Sequence, residues 1–281
     1  MLLKTLIKKV SNIIYKILLL HVFLKTKDKD MQINKTNLML VVVAFNNLDI
    51  LEVQYRYLKN FLTEQFDYVI ADNSNKIECS KNIKEFCKEN KISYVKVPWN
   101  PLTNVRSSGS HAIALNWITK NIIRKYKPKF WGFLDHDIFP IKRTSVLENL
   151  DKGLWGAIRT RKEKWWYLWP GFCFFEYEKV RKYNFNFFPY HADKDGLTFL
   201  DTGGSNYFTI YQKLGKENLG ETKSKIINLN TNMELKKGED SSQTFELINS
   251  DWLHLRQIAW RKESFNKMSE LENIIKKSQD Y

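Results

Sequence analysis

Cysteine is scarce in this 281-residue chain: Cys79, Cys87 and Cys173 are an odd set with no C-x-x-C spacing. That excludes a disulfide framework or a cysteine zinc site and sets the expectation of a reducing compartment. Cys173, inside an apolar run, reads as a small core residue. Two phosphate-binding signatures are also missing. No G-x-G-x-x-G follows the first apolar run and no G-x-x-x-x-G-K-[ST] occurs anywhere, which removes the usual dinucleotide and P-loop readings. RNP, helix-turn-helix and zinc-finger patterns are absent too, so the formal net charge of +14 does not point to nucleic acid. Anionic lipid and phosphorylated small molecules suit that charge better. There is no internal repeat and no low-complexity tract.

Nor is there an apolar run at the N-terminus long enough to span a bilayer. Four lysines fall within the first sixteen residues, and only Ile17–Leu24 is nearly continuous in apolar character. Leu3, Leu6, Ile7, Val10, Ile13, Ile14, Ile17, Leu18 and Leu20 instead recur at helical spacing, with Lys4, Lys8, Lys9 and Lys16 on the other face. The expectation is an amphipathic basic helix lying on an anionic membrane surface, at the cytoplasmic, inner face of the cell membrane. The competing reading is a helix packed on its own domain or on a second subunit. Residues 25–37 read as a polar linker, which gives a first segment of 1–37.

What the chain does have is a regular alternation of strands and helices. Leu38–Phe45 is an unbroken β-branched run, the mark of a strand buried on both faces. The spacing predicts a helix over Leu48–Leu62, a strand over Phe66–Ala71, a helix over Ser80–Asn90 with Ser80 as N-cap, and a strand over Ile92–Val97. A long helix, Ser107–Lys125, and a fourth strand, Phe130–Leu134, follow. The fold class is therefore α/β, a mostly parallel central sheet flanked by helices, whose ligands sit beyond the carboxyl ends of the strands. The catalytic domain is expected over 38–260 and a C-terminal helix over 261–281. Lys216–Ser242 is polar, with a short strand near Ile226–Leu229.

At the end of the fourth strand stands Asp135-His136-Asp137. In extended backbone, residues i and i+2 point to the same side, so both carboxylates can face one cation while His136 faces away. Carboxylate oxygens suit Mg²⁺ or Mn²⁺, and such an ion bridges phosphate oxygens and neutralises a departing diphosphate. The competing reading of a bare D-x-D is a solvated turn.

With these residues in this order the chain resembles the A-type (GT-A, Rossmann-like) nucleotide-sugar glycosyltransferases, most closely the inverting family 2, from about Leu38 to His254. The first strand and polar turn of that family are matched by Val41–Phe45, Asn46 and Asn47; its acidic base-binding end of strand two by Asp72 and Asn73; its nucleotide-covering helix by Asn104–Asn116, with Gly109; and its D-x-D by Asp135–Asp137. The resemblance implies donor contacts from Phe45, Asn46, Asp72, Asn73, Gly109, Asn116 and Asp135. It implies a metal on Asp137, with Asp135 as helper and His254 as third ligand. It also implies a Gly-aromatic acceptor segment at Trp169 and Gly171, and a general base at Asp201, where the family's Glu-Asp is replaced by Leu-Asp. Each residue has a plainer alternative: an Asx-turn at Asp72, close packing at Gly109, a helix N-cap at Asp201, a core histidine at His254 and at His111. Glu176, Asp193 and Asp195 stay open as bases. Trp165 and Trp166 are candidates to stack on sugar, and Arg159 and Arg161 to meet diphosphate.

The activity implied is metal-dependent transfer of a glycosyl group from a nucleoside diphosphate sugar to a glycan or glycolipid. A sugar-phosphate nucleotidyltransferase is the first alternative, although Ala44–Asn47 is not its Gly-rich, Arg-containing loop. A non-catalytic membrane-associated scaffold is the second.

Overall fold

The computed structural model describes residues 2–26, 31, 33, 36–105, 107–193, 198–229, 233–235, 244–256 and 264–278, with side chains from residue 10 in the first helix and from 267 in the last. The helices that matter below are α1, Leu2–Leu18, continued by a 3-10 turn at Leu19–Phe23; α2, Asp49–Phe61; α3, Ile77–Glu89; and α4, Ser107–Ile118. Strands β1 (Leu38–Ala44), β2 (Phe66–Asp72), β3 (Ser93–Lys96) and β4 (Phe130–Leu134) come first. They are followed by β5 (Ile138–Pro140), β6 (Leu154–Arg161), β7 (Trp165–Glu176), β8 (Tyr190–His191) and β9 (Phe199–Leu200), and then by β10 (Ser224–Asn228), β11 (Thr244–Ile248) and β12 (Trp252–His254).

The main sheet has the order β3-β2-β1-β4-β7-β6. Its first four strands are parallel, and β7 and β6 join antiparallel. Every residue of β1 is buried, as an unbroken apolar strand between two helical layers requires. One cluster on that strand's Met39, Val41 and Val43 side packs α4; the other, on Leu38, Leu40 and Val42, packs α2 and α3. The expected α/β architecture is present, with each of the first four strands within a residue or two of its expected bounds. Helix α3 starts a turn earlier than expected. Its N-cap is Lys76, and the Ser80 hydroxyl binds the Asp72 carboxylate. Beyond Ile118, α4 widens into a π-turn over Thr119–Ile123, where Thr119 and Asn121 bond back to the Leu115 and Trp117 carbonyls, and it ends at Tyr126.

A second sheet, β10-β11-β12-β5, is antiparallel. Strand β5 begins directly after the Asp135–Asp137 turn, so that turn is where the chain leaves one sheet for the other. The strand expected near residue 226 is β10. The boundary expected at 260/261 lies outside the described residues, whereas Leu271 and Ile274 of the last helix are buried against the second sheet.

Helix α1 is not held off on a linker. Tyr15 is buried and stacks on Phe188, with ring centroids 4.9 Å apart. Val10, Ile13, Ile14, Ile17, Leu20, Phe23 and Leu24 remain exposed on its other side. Among the described residues no helix is long and apolar enough to cross a membrane.

Candidate functional site

Beyond the carboxyl ends of β1 and β4 lies a cleft of about 440 Å³, lined by Phe45, Asn73, His111, Asp135, His136, Asp137, Arg159, Trp169, Asp201 and His254, among others. Chain order alone separates Phe45 from His254 by most of the domain; the sheet register brings them together. Val42 sits opposite Leu134, so the last residues of β1 and the start of the acidic turn lie side by side.

The acidic turn is fixed from beneath. Asp135 N–H donates to the Gly171 carbonyl at 2.8 Å, and the Gln54 amide donates to the carbonyls of Asp135 (2.8 Å) and Ile138 (2.5 Å). Gln54 is fully buried on α2, and its own oxygen accepts from the Tyr68 hydroxyl at 2.6 Å. Nothing in the local sequence marks Gln54; its only signal is a polar residue on the apolar side of an amphipathic helix.

Because the backbone turns at His136 and Asp137 instead of running extended, the expected outward-facing His136 lines the cleft. Its Nδ1 stands 3.5 Å from the Val43 carbonyl. Asp137 is buried, and Leu255 N–H donates to its carbonyl at 3.0 Å. His254 pairs with Ile138 across β12 and β5, which sets His254 Nε2 3.8 Å from Asp137 Oδ1. On its other side Nδ1 is 2.9 Å from Glu246, directly opposite across β11 and β12. Glu246 is almost wholly buried. Burial would raise its carboxyl, but the His254 hydrogen bond and Arg159, 3.4 Å away, hold it well below the usual carboxylate range. Arg159 also lies over the Trp169 ring at 4.5 Å, and that ring leans on His254 at 4.9 Å.

Asp135 is carried above the usual carboxylate range, first by burial and then by Asp137 beside it. Its Oδ1 is 3.7 Å from His111 Nε2. Burial, with His136 next to it, pushes the His111 imidazole down to about 4 despite Asp201 and Asp137. Asp135 and Asp137 thus stand side by side in one cleft with His111 and His136, and a bound cation would relieve the repulsion between the two carboxyls.

The expected trio of metal ligands does not close into one group. Among the described residues no three His, Cys, Asp or Glu side chains are gathered tightly enough to hold an ion. Asp135 faces His111, leaving Asp137 and His254 as the pair that does fit. Two ligands of one Mn²⁺- or Mg²⁺-sized ion, each ~2.1 Å from it, stand ~3–4 Å apart. A carboxylate on Nδ1 is also what orients a ligating imidazole through Nε2.

Asp201 lies at the rim, exposed, with one carboxylate oxygen accepting from Thr202 N–H at 2.8 Å and its own N–H donating to the Tyr167 hydroxyl at 3.1 Å. It therefore both caps its own turn and faces the cleft. Gly203, at φ +90°, backs onto Pro170, so the double glycine serves packing here.

Several expected contacts go elsewhere. Asp72 is fully buried: its carboxylate accepts from Ser74 N–H (2.8 Å), the Ser80 hydroxyl, the Tyr94 hydroxyl (2.9 Å) and Lys96 (3.0 Å), and it is not among the residues that line this cleft. Burial alone would raise its carboxyl; the Ser74 and Ser80 bonds, with Lys96, keep it below the ordinary value. Asn73, next to it, does reach the cleft wall. Asn46, at φ 54°, spends its side chain on Asn75 and Lys76 N–H. Gly109 is a packing residue: a Cβ there would come within 2.6 Å of Leu102, and its neighbours Ser107, Ser108, Ser110 and His111 line the cleft instead. Asn116 is buried and accepts from Phe187 N–H at 2.9 Å. Gly171 lies under the site: a Cβ would come within 2.5 Å of Asp135 Oδ2. Trp165 and Trp166 are core residues. Arg161 is exposed and donates to the Thr160 carbonyl. Glu176 pairs with Phe130, at the opposite edge of the sheet from Leu134. Asp193 binds Thr198 and Lys162. Asp195 lies outside the described residues.

No protein-family model and no curated protein matches the chain. Among solved structures, similarity is found to the mannosyltransferase PcManGT from Pyrobaculum calidifontis in complex with GDP-Man and Mn²⁺, at 11% identity and TM-score 0.39, over 60% of this chain and 53% of that one. It is found also to the mannosyltransferase Ktr4p from S. cerevisiae (10%, 0.36, over 60% and 64%) and to the galactosyltransferase LgtC with donor and acceptor sugar analogues (13%, 0.35, over 63% and 66%). The chain spans less than two thirds of the length of each. The chain itself is an α/β domain with a cleft at the carboxyl edge of its parallel strands.

Proposed function

We propose that the chain is a metal-dependent glycosyltransferase acting on a nucleoside diphosphate sugar, with a glycan or glycolipid as acceptor. The observation that carries this reading is the convergence of Asp135, Asp137, His254 and Asp201 on one cleft at the carboxyl edge of the parallel strands. Asp137 and His254 would hold Mn²⁺ or Mg²⁺, which would supply positive charge to offset that of the departing diphosphate.

The chain's own residues supply the rest. Arg159, on the cleft wall beside the metal pair, adds positive charge toward the diphosphate. Phe45 and Asn73 border the nucleoside and Trp169 offers a ring face to sugar. Asp201 takes the acceptor hydroxyl proton as that oxygen bonds to the anomeric carbon and the bond from that carbon to the diphosphate oxygen breaks. Attack from the face opposite the leaving group inverts the anomeric centre. The exposed side of α1 rests on an anionic membrane surface, which sets the enzyme at the inner face of the cell membrane.

A thermal-shift panel of UDP-, GDP- and dTDP-sugars with Mn²⁺ tests the reading. Stabilisation is expected in the wild type and not in Asp137→Ala. No donor binding and no donor hydrolysis across the whole panel would overturn it in favour of a non-catalytic scaffold.

A further inference from the structure

A second cavity, about 850 Å³, adjoins the cleft and shares Asn73 and Thr103 with it. It contains none of the acidic-turn residues, neither Asp201 nor His254, so it is separate from the chemistry. Lys25, Lys76, Lys81, Lys84 and Lys96 line it, and among the described residues no aspartate or glutamate does. The nearest acid on β2, Asp72, is buried and engaged by Lys96. Lys84 and Lys96 already have partners within the protein, and Lys25, Lys76 and Lys81 add positive charge that concentrates anions, since ammonium groups on flexible stems bind phosphate as point charges. Trp99, 78% exposed, stands at the rim as a free ring face.

One wall of this cavity comes from the N-terminal segment. His21 Nε2 donates to the Trp99 carbonyl at 2.7 Å and the Thr26 hydroxyl to the Lys96 carbonyl at 2.8 Å, so residues 21–26 are fastened to the rim. Immediately before Lys25 the same segment presents Leu20, Phe23 and Leu24 to solvent, with Phe23 70% exposed. The exposed apolar residues end at Leu24, next in the chain to Lys25 of the cavity wall, while Leu20 and Phe23 behind it border a groove with Asn116 and Lys120. A soluble nucleotide has no use for these apolar residues, and an uncharged lipid none for the lysines.

We propose that the cavity takes the phosphate or diphosphate head of an anionic amphiphile whose hydrocarbon chain lies along Leu20, Phe23 and Leu24. On the transferase reading, to which this assignment adds the class of acceptor, the amphiphile is lipid-linked acceptor presented toward Asp201.

The test uses the full chain with farnesyl diphosphate as probe and inorganic diphosphate as reference, by titration calorimetry at low and high salt. Farnesyl diphosphate is expected to bind at least tenfold more tightly than diphosphate, and both more weakly at high salt. Lys76→Glu with Lys81→Glu, two exposed positions, should weaken both at least tenfold, and Trp99→Ala should weaken the prenyl probe further than the reference. Leu20→Ser with Phe23→Ser should erase the difference between the two probes. Asp137→Ala should leave farnesyl diphosphate binding intact. Unchanged binding in the lysine variant, equal binding of the two probes, or loss of binding in Asp137→Ala would each overturn the assignment. Donor stabilisation with Mn²⁺, measured on the lysine variant, separates the two readings, because it is expected to persist whether or not the amphiphile binds.

Discussion

Glu246 and His254 face each other across adjacent antiparallel strands, carboxylate to Nδ1 at 2.9 Å, and the other ring nitrogen is aimed at Asp137. The pairing makes His254 a directed side chain instead of a rotating one. Glu246→Gln keeps the shape but removes the charge that holds the ring. Mn²⁺-dependent donor affinity is expected to fall about 10- to 100-fold. Isothermal titration with donor at several Mn²⁺ concentrations reads this, and an unchanged metal dependence would remove His254 from the ligand set.

Asp201→Asn tests the proton acceptor. The amide keeps the oxygen that accepts from Thr202 N–H, so the turn is retained. It cannot take a proton. Turnover is expected to fall about 10²- to 10⁴-fold with KM for donor little changed. A loss confined to KM would instead assign Asp201 to binding.

Gln54→Leu tests the clamp beneath the acidic turn. The substitution strands the Asp135 and Ile138 carbonyls and the Tyr68 hydroxyl, three groups that Gln54 now satisfies. Each buried group left unpaired costs ~1–3 kcal/mol. A loss of about 3–5 kcal/mol in urea unfolding is expected, and Mn²⁺-dependent stabilisation by donor should weaken because the turn is no longer held. Full stability would mean that the turn is supported by Gly171 alone.

His111, neutral in the cleft with its imidazole at about 4, gives the metal-free protein a pH dependence of definite sign. The unfolded chain protonates His111 near 6.5 and the folded chain only near 4, so the unfolded state binds more protons between those values. Stability from this group is complete above about pH 6.5 and is lost as pH falls toward 4, by about 3 kcal/mol at most. His111→Asn should flatten that limb of a stability-against-pH curve. A limb of the same slope in the variant would assign the loss to other groups.

The parallel half of the fold was legible because β1 and β4 lack charged residues and β2 has an apolar stretch over Tyr68–Ala71, each between helical stripes. The place of the site was legible at the strand ends, where Asp135, Asp137 and Asn73 line the cleft. It was misread where the side chain is claimed by a partner distant in sequence. Asp72 looks like a donor contact until Ser80, Tyr94 and Lys96 are seen to crowd one of its oxygens while Ser74 N–H takes the other. His136 looked turned away because extended backbone was assumed through a turn. The second sheet escaped because its strands are short and polar at their ends, so only the pairing of Glu246, His254 and Ile138 across three strands reveals that Glu246 belongs to the site.

The N-terminal helix sets the last expectation. Deleting it would expose the core where Tyr15 stacks on Phe188, so loss of membrane binding on truncation would be uninterpretable. Substitutions on the exposed side avoid this. Ile13 and Ile17 are both more than half exposed, and replacing them with Ser removes apolar area without opening a cavity. The variant should keep its unfolding midpoint in urea, yet its partitioning onto vesicles of anionic phospholipid should fall at least tenfold, since each side chain buried at the interface contributes ~1.5–3 kcal/mol. Vesicles of neutral lipid should bind the wild type weakly, because Lys16 and the other basic residues of the segment supply the remaining attraction. Cosedimentation of both proteins with both vesicle types reads all four cases, and equal partitioning of variant and wild type onto the anionic vesicles would place the membrane contact on another surface.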